Sequence, residues 1–249
     1  MADPTVVIYR GGDGAEIVLD RPEKLNAMNM ALVQDLDQAV AAVVDDPPEI
    51  VVVRGAGRAF CAGLDLDMLG TEGMPALFYP LQERAFRALE GLDRIVVAQI
   101  QGYCLGGGLQ LALACDIRIV SDDAVLGLPA ALEGLPPGMA PWRLPRFIGL
   151  GRAMRLAIGG DRIGAAEALA LGLADHVLPS DGFAERAAAV VERYRAVPQA
   201  AARATKELVR SAFDVDFDAA HARSRELVER CLADPDAAGA RAAWTRRRG

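Results

Sequence analysis

Two glycine-centred segments, at residues 60–66 and 102–110, constrain this chain more than any other feature of its sequence. The first reads Phe-Cys-Ala-Gly-Leu-Asp-Leu and the second reads Gly-Tyr-Cys-Leu-Gly-Gly-Gly-Leu-Gln. Each follows an apolar run rich in β-branched residues, so each is predicted to leave the end of a strand. Backbone exposed at two strand ends can direct two main-chain N–H groups at one oxygen atom. The pattern therefore predicts a site that stabilises an enolate or a tetrahedral oxyanion.

The order of the predicted elements indicates the class of fold. Strand-like and helix-like segments alternate over the first two-thirds of the chain, in the order hairpin 6–20, helix 30–44, strand 50–54, helix 83–92, strand 95–100, helix 109–114 and strands 116–120 and 125–128. This alternation is typical of an α/β protein with helices packed on a largely parallel sheet. From about residue 150 the periodicity is helical. We expect a core of residues 1–190 and a C-terminal helical region of residues 191–249 that packs on it.

Charge and composition exclude several classes of function. The 249 residues include 34 acidic and 27 basic ones, a net charge of -7, which argues against nucleic acid as a partner. The four cysteines form no CxxC pair and there are only two histidines, so no metal site is expected. No apolar stretch is long enough to span a bilayer, and the N-terminus lacks the pattern of a secretory signal. We expect a cytoplasmic protein without a membrane partner.

Glycine-rich turns before helices also occur in nucleotide-binding proteins, but the spacing here differs. The chain has no GxGxxG, and Gly108 follows Gly107 where a phosphate-binding loop requires lysine. It also has no GxSxG nucleophile elbow. What remains is a helix N-terminus at residues 107–109, with unpaired N–H groups and the positive end of a helix dipole. The competing structural interpretation is that the glycines only permit tight packing of strand and helix.

Further motifs lie before, between and after the glycine segments. Residues 21–28 read Arg-Pro-Glu-Lys-Leu-Asn-Ala-Met, and residues 114–118 read Ala-Cys-Asp-Ile-Arg. Residues 127–129 read Gly-Leu-Pro, residues 134–138 read Gly-Leu-Pro-Pro-Gly, and the last predicted helix contains Ala243-Trp244. In order and spacing, this combination resembles the crotonase (enoyl-CoA hydratase/isomerase) superfamily over essentially the whole chain.

The resemblance implies an α/β fold built as a spiral of ββα units, with a C-terminal helical region that assembles homotrimers, often as dimers of trimers. It also implies a coenzyme A thioester as the ligand, with no separate cofactor. By position, the N–H groups of Leu64 and Gly107 would bind the thioester oxygen. The residues that the resemblance assigns to binding of the CoA moiety are Lys24, Leu25, Ala27, Ala62, Asp65, Leu66, Trp244 and Arg247.

Within this set, Lys24, Leu25 and Ala27 would line the adenine pocket, and Trp244 and Arg247 would reach the nucleotide from a neighbouring subunit. A guanidinium group pairs well with phosphate, which suits the basic C-terminal tail to that role. The chain departs from the family at one position near the nucleotide. Family members often have lysine three residues after the position of Leu64, whereas this chain has Asp67.

The catalytic side chains also depart from the hydratase pattern. Hydratases of this family use two glutamates, and the matching positions here are Gln110 and Ala130. A glutamine amide can hold a water or a polar substrate group, but it does not accept a proton at neutral pH. Each general acid or base contributes roughly 10²–10⁴ in rate, so a two-glutamate hydration mechanism is not available. Glu133 is the carboxylate nearest to these positions. A helical turn over residues 129–134 would place it on the face of Ala130, and an extended segment would place it on the opposite face.

Three interpretations of function follow. The leading one is an acyl-CoA-processing enzyme that uses its oxyanion hole for isomerisation, decarboxylation or thioester hydrolysis in preference to hydration. The second is a catalytically silent acyl-CoA binding protein. The third is an enzyme that acts on a ketone without CoA, such as a cyclic diketone, and leaves the nucleotide pocket unused.

Overall fold

The computed structural model describes residues 4–246, except for the side chains of Glu72 and of residues 244–246. Its strands, in chain order, are β1 (Val6–Gly11), β2 (Gly14–Leu19), β3 (Ile50–Gly55), β4 (Ile95–Ile100), β5 (Tyr103–Leu105), β6 (Ile117–Ser121), β7 (Val125–Gly127), β8 (Arg162–Gly164) and β9 (His176–Leu178). Its α-helices are α1 (Met30–Asp45), α2 (Leu66–Glu72), α3 (Phe78–Gly91), α4 (Gly107–Ala114), α5 (Ala140–Ile148), α6 (Leu150–Gly159), α7 (Ala165–Leu171), α8 (Phe183–Arg195), α9 (Gln199–Ser211), α10 (Phe217–Ala233) and α11 (Pro235–Arg246). Two short 3₁₀ helices span Pro22–Lys24 and Pro129–Glu133.

The main sheet of the described chain has six strands in the order β1-β2-β3-β4-β6-β9. β1 and β2 form an antiparallel hairpin with Val6 opposite Leu19, and every later neighbour pair in this sheet is parallel. A smaller sheet contains β5, β7 and β8. The largely parallel sheet predicted from the alternation of elements is therefore confirmed.

Helices cover both faces of the main sheet. On one face, α1 buries Leu32, Leu36 and Val43 completely, which is the apolar face that its helical spacing predicts. On the other face, Phe183 and Val191 of α8 pack against a second cluster of buried strand residues. Burial of each such side chain contributes about 1.5–3 kcal/mol, so both layers stabilise the sheet that carries the glycine segments.

Several elements differ from the prediction. The helix predicted at 83–92 begins five residues earlier, at Phe78, and the helix predicted at 109–114 begins at Gly107. α5 was not predicted, because its sequence contains Pro141 and Pro145. The helix accommodates Pro141 in its first turn, where the N–H group has no partner within a helix. Pro145 lies near its end, and the helix stops three residues later.

The C-terminal helices pack on the sheet. The Lys206 ammonium group on α9 donates to the carbonyl oxygen of Arg94, at 2.8 Å, and the Arg210 guanidinium lies 2.9 Å from a carboxylate oxygen of Asp116. The predicted division after residue 190 falls inside α8 and stays a prediction. Within residues 4–246, none of the helices has the length and apolar character needed to cross a membrane.

Candidate active site

The two glycine segments lie directly against each other. Cys61 donates its N–H to the carbonyl oxygen of Tyr103 and accepts from the N–H of Leu105, both at 2.9 Å. Gly63 has φ +99°, and a Cβ atom there would lie 2.9 Å from the carbonyl oxygen of Leu105. Gly106 likewise has φ +51°, and a Cβ atom there would lie 3.6 Å from the Cα of Gly63. Glycine is required at both positions because φ is positive, and at Gly63 also because the two segments approach closely.

The second segment continues into a completely buried helix. All eight residues of α4 are buried, beginning with Gly107. At Gly108 a Cβ atom would lie 2.3 Å from the carbonyl oxygen of Cys61, so the helix fits against the first segment only with glycine there. The N-terminus of α4, with its partial positive charge, is thereby fixed beside Leu64 and the rest of the first segment.

The N–H groups of Leu64 and Gly107 have no hydrogen-bond acceptor in the part of the chain that the structure describes. Gly107 is the first residue of α4, so its N–H has no partner within the helix. Both residues line one cavity of about 80 Å³. Ala62 and Leu66 line the same cavity. Two unpaired amides are thus available to a ligand in this cavity.

The predicted adenine loop is held by a buried asparagine. Leu25 and Asn26 both have positive φ, at 52° and 56°. The Asn26 side chain accepts from the N–H of Arg21 at 2.8 Å and donates to the carbonyl oxygen of Ala59 at 2.9 Å. The N–H of Ala62 donates to the carbonyl oxygen of Leu25 at 3.0 Å, which joins this loop to the first glycine segment. Lys24, Leu25 and Ala27 are therefore positioned next to the cavity wall, and their contact with a nucleotide stays a prediction.

Asp65 is tied to structural partners. Its carboxylate lies 2.9 Å from the Arg21 guanidinium and accepts from the N–H groups of Asp67 and Met68 at the start of α2. Burial by itself raises the pKa of the Asp65 carboxyl, but the hydrogen bond from Arg21 and those from the two amides outweigh burial and hold the pKa below its usual value. Asp65 is therefore an ionised helix cap, and its contact with CoA stays a prediction.

Asp67, where the chain departs from its family, has a partner. Its carboxylate lies 2.8 Å from the ammonium group of Lys24, and both side chains are exposed. The hydrogen bond to Asp67 raises the pKa of Lys24. The aspartate at this position therefore forms an ion pair with a residue of the predicted adenine loop.

Gln110 is buried in the wall of the cavity, with 4% of its surface exposed. Its Oε1 atom accepts from the N–H of Met139 at 3.0 Å, which fixes the orientation of the amide. Gly138, which has φ +49°, packs against that amide, because a Cβ atom there would lie 2.6 Å from Oε1. Because Oε1 is occupied, the side chain offers a ligand only its amide NH₂ group, which donates hydrogen bonds and does not accept them.

The segment after β7 adopts the helical alternative. Residues Pro129–Glu133 form a 3₁₀ helix, in which positions three apart share a face. Ala130 and Glu133 accordingly both line the cavity. Glu133 is solvent-exposed, so its carboxylate lies at the rim.

Sequence reasoning missed two polar residues of the cavity, Tyr79 and Gln82. Both belong to the first turns of α3, ahead of the predicted helix start. Gln82 is 2% exposed, and its Nε2 lies 3.2 Å from Sδ of Met28. The apolar spacing of Phe78, Ala85, Phe86 and Leu89 is the signal that would have extended the helix to include them.

Two predicted nucleotide contacts fall at the end of the chain. The backbone of Trp244 belongs to α11, but its side chain lies outside the described structure. Arg247 lies outside the described residues. Both assignments stay predictions.

Comparison with known proteins defines the class to which this fold and cavity belong. Residues 13–243 match the family described as enoyl-CoA hydratase/isomerase, and the chain belongs to that family. A crotonyl-CoA hydratase of Syntrophomonas wolfei is 32% identical over 241 residues, 95% of this chain and 93% of the relative. A 2,3-dehydroadipyl-CoA hydratase of Escherichia coli is 31% identical over 222 residues, 88% of this chain and 87% of the relative.

Solved structures agree with this membership. The crystal structure of enoyl-CoA hydratase from Thermoplasma volcanium superposes with a TM-score of 0.89 at 31% identity, covering 97% of this chain and 98% of the other. A protein from Thermobifida fusca, described as a putative enoyl-CoA hydratase in complex with CoA, gives a TM-score of 0.82 at 33% identity over 92% and 93% of the two chains. The crotonase fold implied by the sequence motifs is confirmed.

Proposed function

We propose that this protein binds an acyl-CoA thioester and stabilises the enolate or the tetrahedral oxyanion formed from it through the N–H groups of Leu64 and Gly107. The observation that carries the proposal is that these two amides are unpaired and line the same cavity. The positive end of the α4 dipole adds to the stabilisation of negative charge on the thioester oxygen. Such donors act mainly on the developing oxyanion, and the loss of one typically lowers the rate about 10²–10³-fold.

Coenzyme A is the proposed carrier because the relatives are named as CoA hydratases and one structural neighbour is in complex with CoA. The residues proposed to bind it are Lys24, Leu25, Ala27, Ala62, Asp65, Leu66, Trp244 and Arg247. The last two would act from a neighbouring subunit of a homotrimer or a dimer of trimers. No cofactor beyond the CoA of the substrate is needed, and a cytoplasmic location stays part of the proposal.

The proposed reaction is isomerisation, decarboxylation or thioester hydrolysis, although the relatives are named hydratases. Gln110 presents an amide NH₂ group where hydratases have a carboxylate, and Ala130 supplies no side chain for proton transfer. Glu133 is the candidate for proton exchange with the substrate, since it shares the face of Ala130. Because no buried carboxylate lines the cavity among the described residues, a silent acyl-CoA binding protein is the second candidate.

A panel of 2-enoyl, 3-enoyl, malonyl-type and 3-hydroxyacyl CoA thioesters, followed by mass spectrometry, tests the proposal. We expect isomerisation, decarboxylation or hydrolysis of at least one of these thioesters. We also expect that turnover to be lost in Gly107→Pro, which lacks the N–H group. Gly107→Ala keeps the N–H group, and its methyl would lie 2.9 Å from Sδ of Met28 and 3.2 Å from Nε2 of Gln82, so it measures the loss caused by packing alone. Binding without any product would favour the silent protein. Failure to bind free CoA would favour the ketone interpretation.

A further inference from the structure

Tyr79 and Glu133 are the two ionisable side chains that line the cavity in the described part of the chain. They stand on different elements, α3 and the 3₁₀ helix Pro129–Glu133. Sequence comparison drew attention only to Glu133. Tyr79 lies in the first turn of α3 and is half-buried, so a ligand in the cavity can reach it.

The Tyr79 ring has a fixed neighbour. It meets Phe78 edge to face, with ring centroids 5.8 Å apart and an interplanar angle of 89°. Phe78 is itself 2% exposed and belongs to the main core, so this contact limits the orientations of the tyrosine ring. The Tyr79 hydroxyl has no hydrogen-bond partner among the described residues. It is an oriented polar group that nothing else in the fold uses.

The surroundings of Tyr79 keep its proton in place. Partial burial raises the pKa of the phenol above its ordinary value of 10.0, so the group is protonated at neutral pH. Glu133 is the charged side chain that lines the cavity with it, and no lysine, arginine or histidine of the described structure does so. The wall thus combines a neutral proton donor with a solvent-exposed carboxylate.

We propose that Tyr79 is a catalytic residue of this site, the proton donor that transfers its hydroxyl proton to carbon when the enolate collapses. The inference rests on the proposed function, because it requires a thioester enolate held by Leu64 and Gly107. Gln82 and Gln110, the other polar side chains in the cavity wall, have neutral amides that do not serve as acids. Glu133 has the other role in this proposal, as the base that removes the α-proton.

Two of the proposed reactions, decarboxylation and isomerisation, form an enolate that Tyr79 can protonate. In decarboxylation of a malonyl-type thioester, the carbon–carbon bond breaks, carbon dioxide leaves and its electron pair forms the enolate. In isomerisation of a 3-enoyl thioester, the Glu133 carboxylate removes an α-proton and a dienolate forms. Tyr79 then protonates the α-carbon or the γ-carbon, the carbonyl re-forms and the O–H electron pair stays on the phenolate. Water returns a proton to the phenolate, and Glu133 releases its proton to water.

Turnover of methylmalonyl-CoA and vinylacetyl-CoA in deuterium oxide tests the proposal with Tyr79→Phe. The control is Tyr9→Phe, at an exposed tyrosine on β1, a strand that contributes no residue to the cavity. We expect Tyr79→Phe to lower kcat about 10²–10⁴-fold while KM, thermal midpoint and CoA affinity change little. A retained rate with loss of facial selectivity in the deuterated propionyl-CoA would also support the proposal, because solvent would then quench the enolate.

Two results overturn it. If Tyr79→Phe matches Tyr9→Phe in both rate and facial selectivity, Tyr79 is not the donor. If the wild-type protein converts neither thioester, no enolate is protonated and Tyr79 has no such role. In that case hydrolysis of another acyl-CoA would leave the proposed function standing. Absence of turnover with every thioester would defeat both proposals.

Discussion

Lys24 and Asp67 form an ion pair, with 2.8 Å between the ammonium nitrogen and a carboxylate oxygen. The pair joins the 3₁₀ helix Pro22–Lys24 to the first turn of α2. Lys24 is a proposed contact of the adenine moiety, and Asp67 stands where family members often have lysine. If Lys24 contacts the nucleotide as proposed, the ion pair occupies that lysine and adds a negative charge beside it.

Replacement of this aspartate should strengthen CoA binding. We expect Asp67→Asn to lower the Kd for CoA about threefold and Asp67→Lys about tenfold, as estimates for exposed charges. Titration calorimetry at low and high salt measures the effect, which should shrink as salt screens it. Asp181→Asn, at an exposed aspartate on another loop, is the control. Equal affinity in all these proteins would place the nucleotide elsewhere.

Gly63→Ala should damage the site through the backbone. A methyl group there lies 2.9 Å from the carbonyl oxygen of Leu105, and φ +99° strains any residue other than glycine. We expect a loss of about 1–3 kcal/mol in the free energy of unfolding and a tenfold or larger fall in kcat, because Leu64 follows directly. Gly70→Ala in α2, where a Cβ atom meets nothing within 4 Å, should instead stabilise the fold by about 0.5–1 kcal/mol. Wild-type kinetics in Gly63→Ala would contradict the proposed role of this loop.

Glu133→Gln tests the rim carboxylate. If Glu133 exchanges a proton with the substrate, as we propose, the variant should lose about 10²–10⁴-fold in kcat with CoA affinity unchanged. Steady-state kinetics on 3-enoyl thioesters, whose isomerisation begins with removal of the α-proton, provides the measurement. Glu49→Gln, at an exposed glutamate before β3, controls for the change of charge. An unchanged kcat would remove Glu133 from the mechanism.

The lowered pKa of Asp65 predicts that the stability of the protein depends on pH. Its pKa is lower in the folded protein than the ordinary value of 3.8, so the folded state favours the carboxylate. The stabilisation is present above pH 3.8 and is lost as the pH falls through the folded-state pKa. Urea midpoints measured between pH 6 and pH 3 should fall less steeply for Asp65→Asn than for the wild-type protein. The level of stability should also drop, because Arg21 loses its carboxylate partner. An Asp13→Asn control should keep the wild-type slope.

Much of the fold could be predicted because its signals are local. The apolar β-branched runs at β3 and β4 and the spacing of Leu32, Leu36 and Val43 in α1 depend only on neighbouring residues. The glycines of the two glycine segments are also local signals, because a backbone with positive φ favours glycine whatever the rest of the fold. The start of α3 was missed because Leu77, its N-cap, provides no side-chain hydrogen bond.

The amino-acid sequence by itself determined most strands of the main sheet, but not β9, as well as the two glycine segments and the absence of both hydratase glutamates. Only the tertiary structure decided that Glu133 turns to the face of Ala130 and that Tyr79 joins the same cavity. The contact between Gln82 and Met28 shows the reason, because its partners are 54 residues apart in the chain. Periodicity specifies which side of an element is buried. Which distant groups meet across a cavity is set by the packing of whole elements against one another.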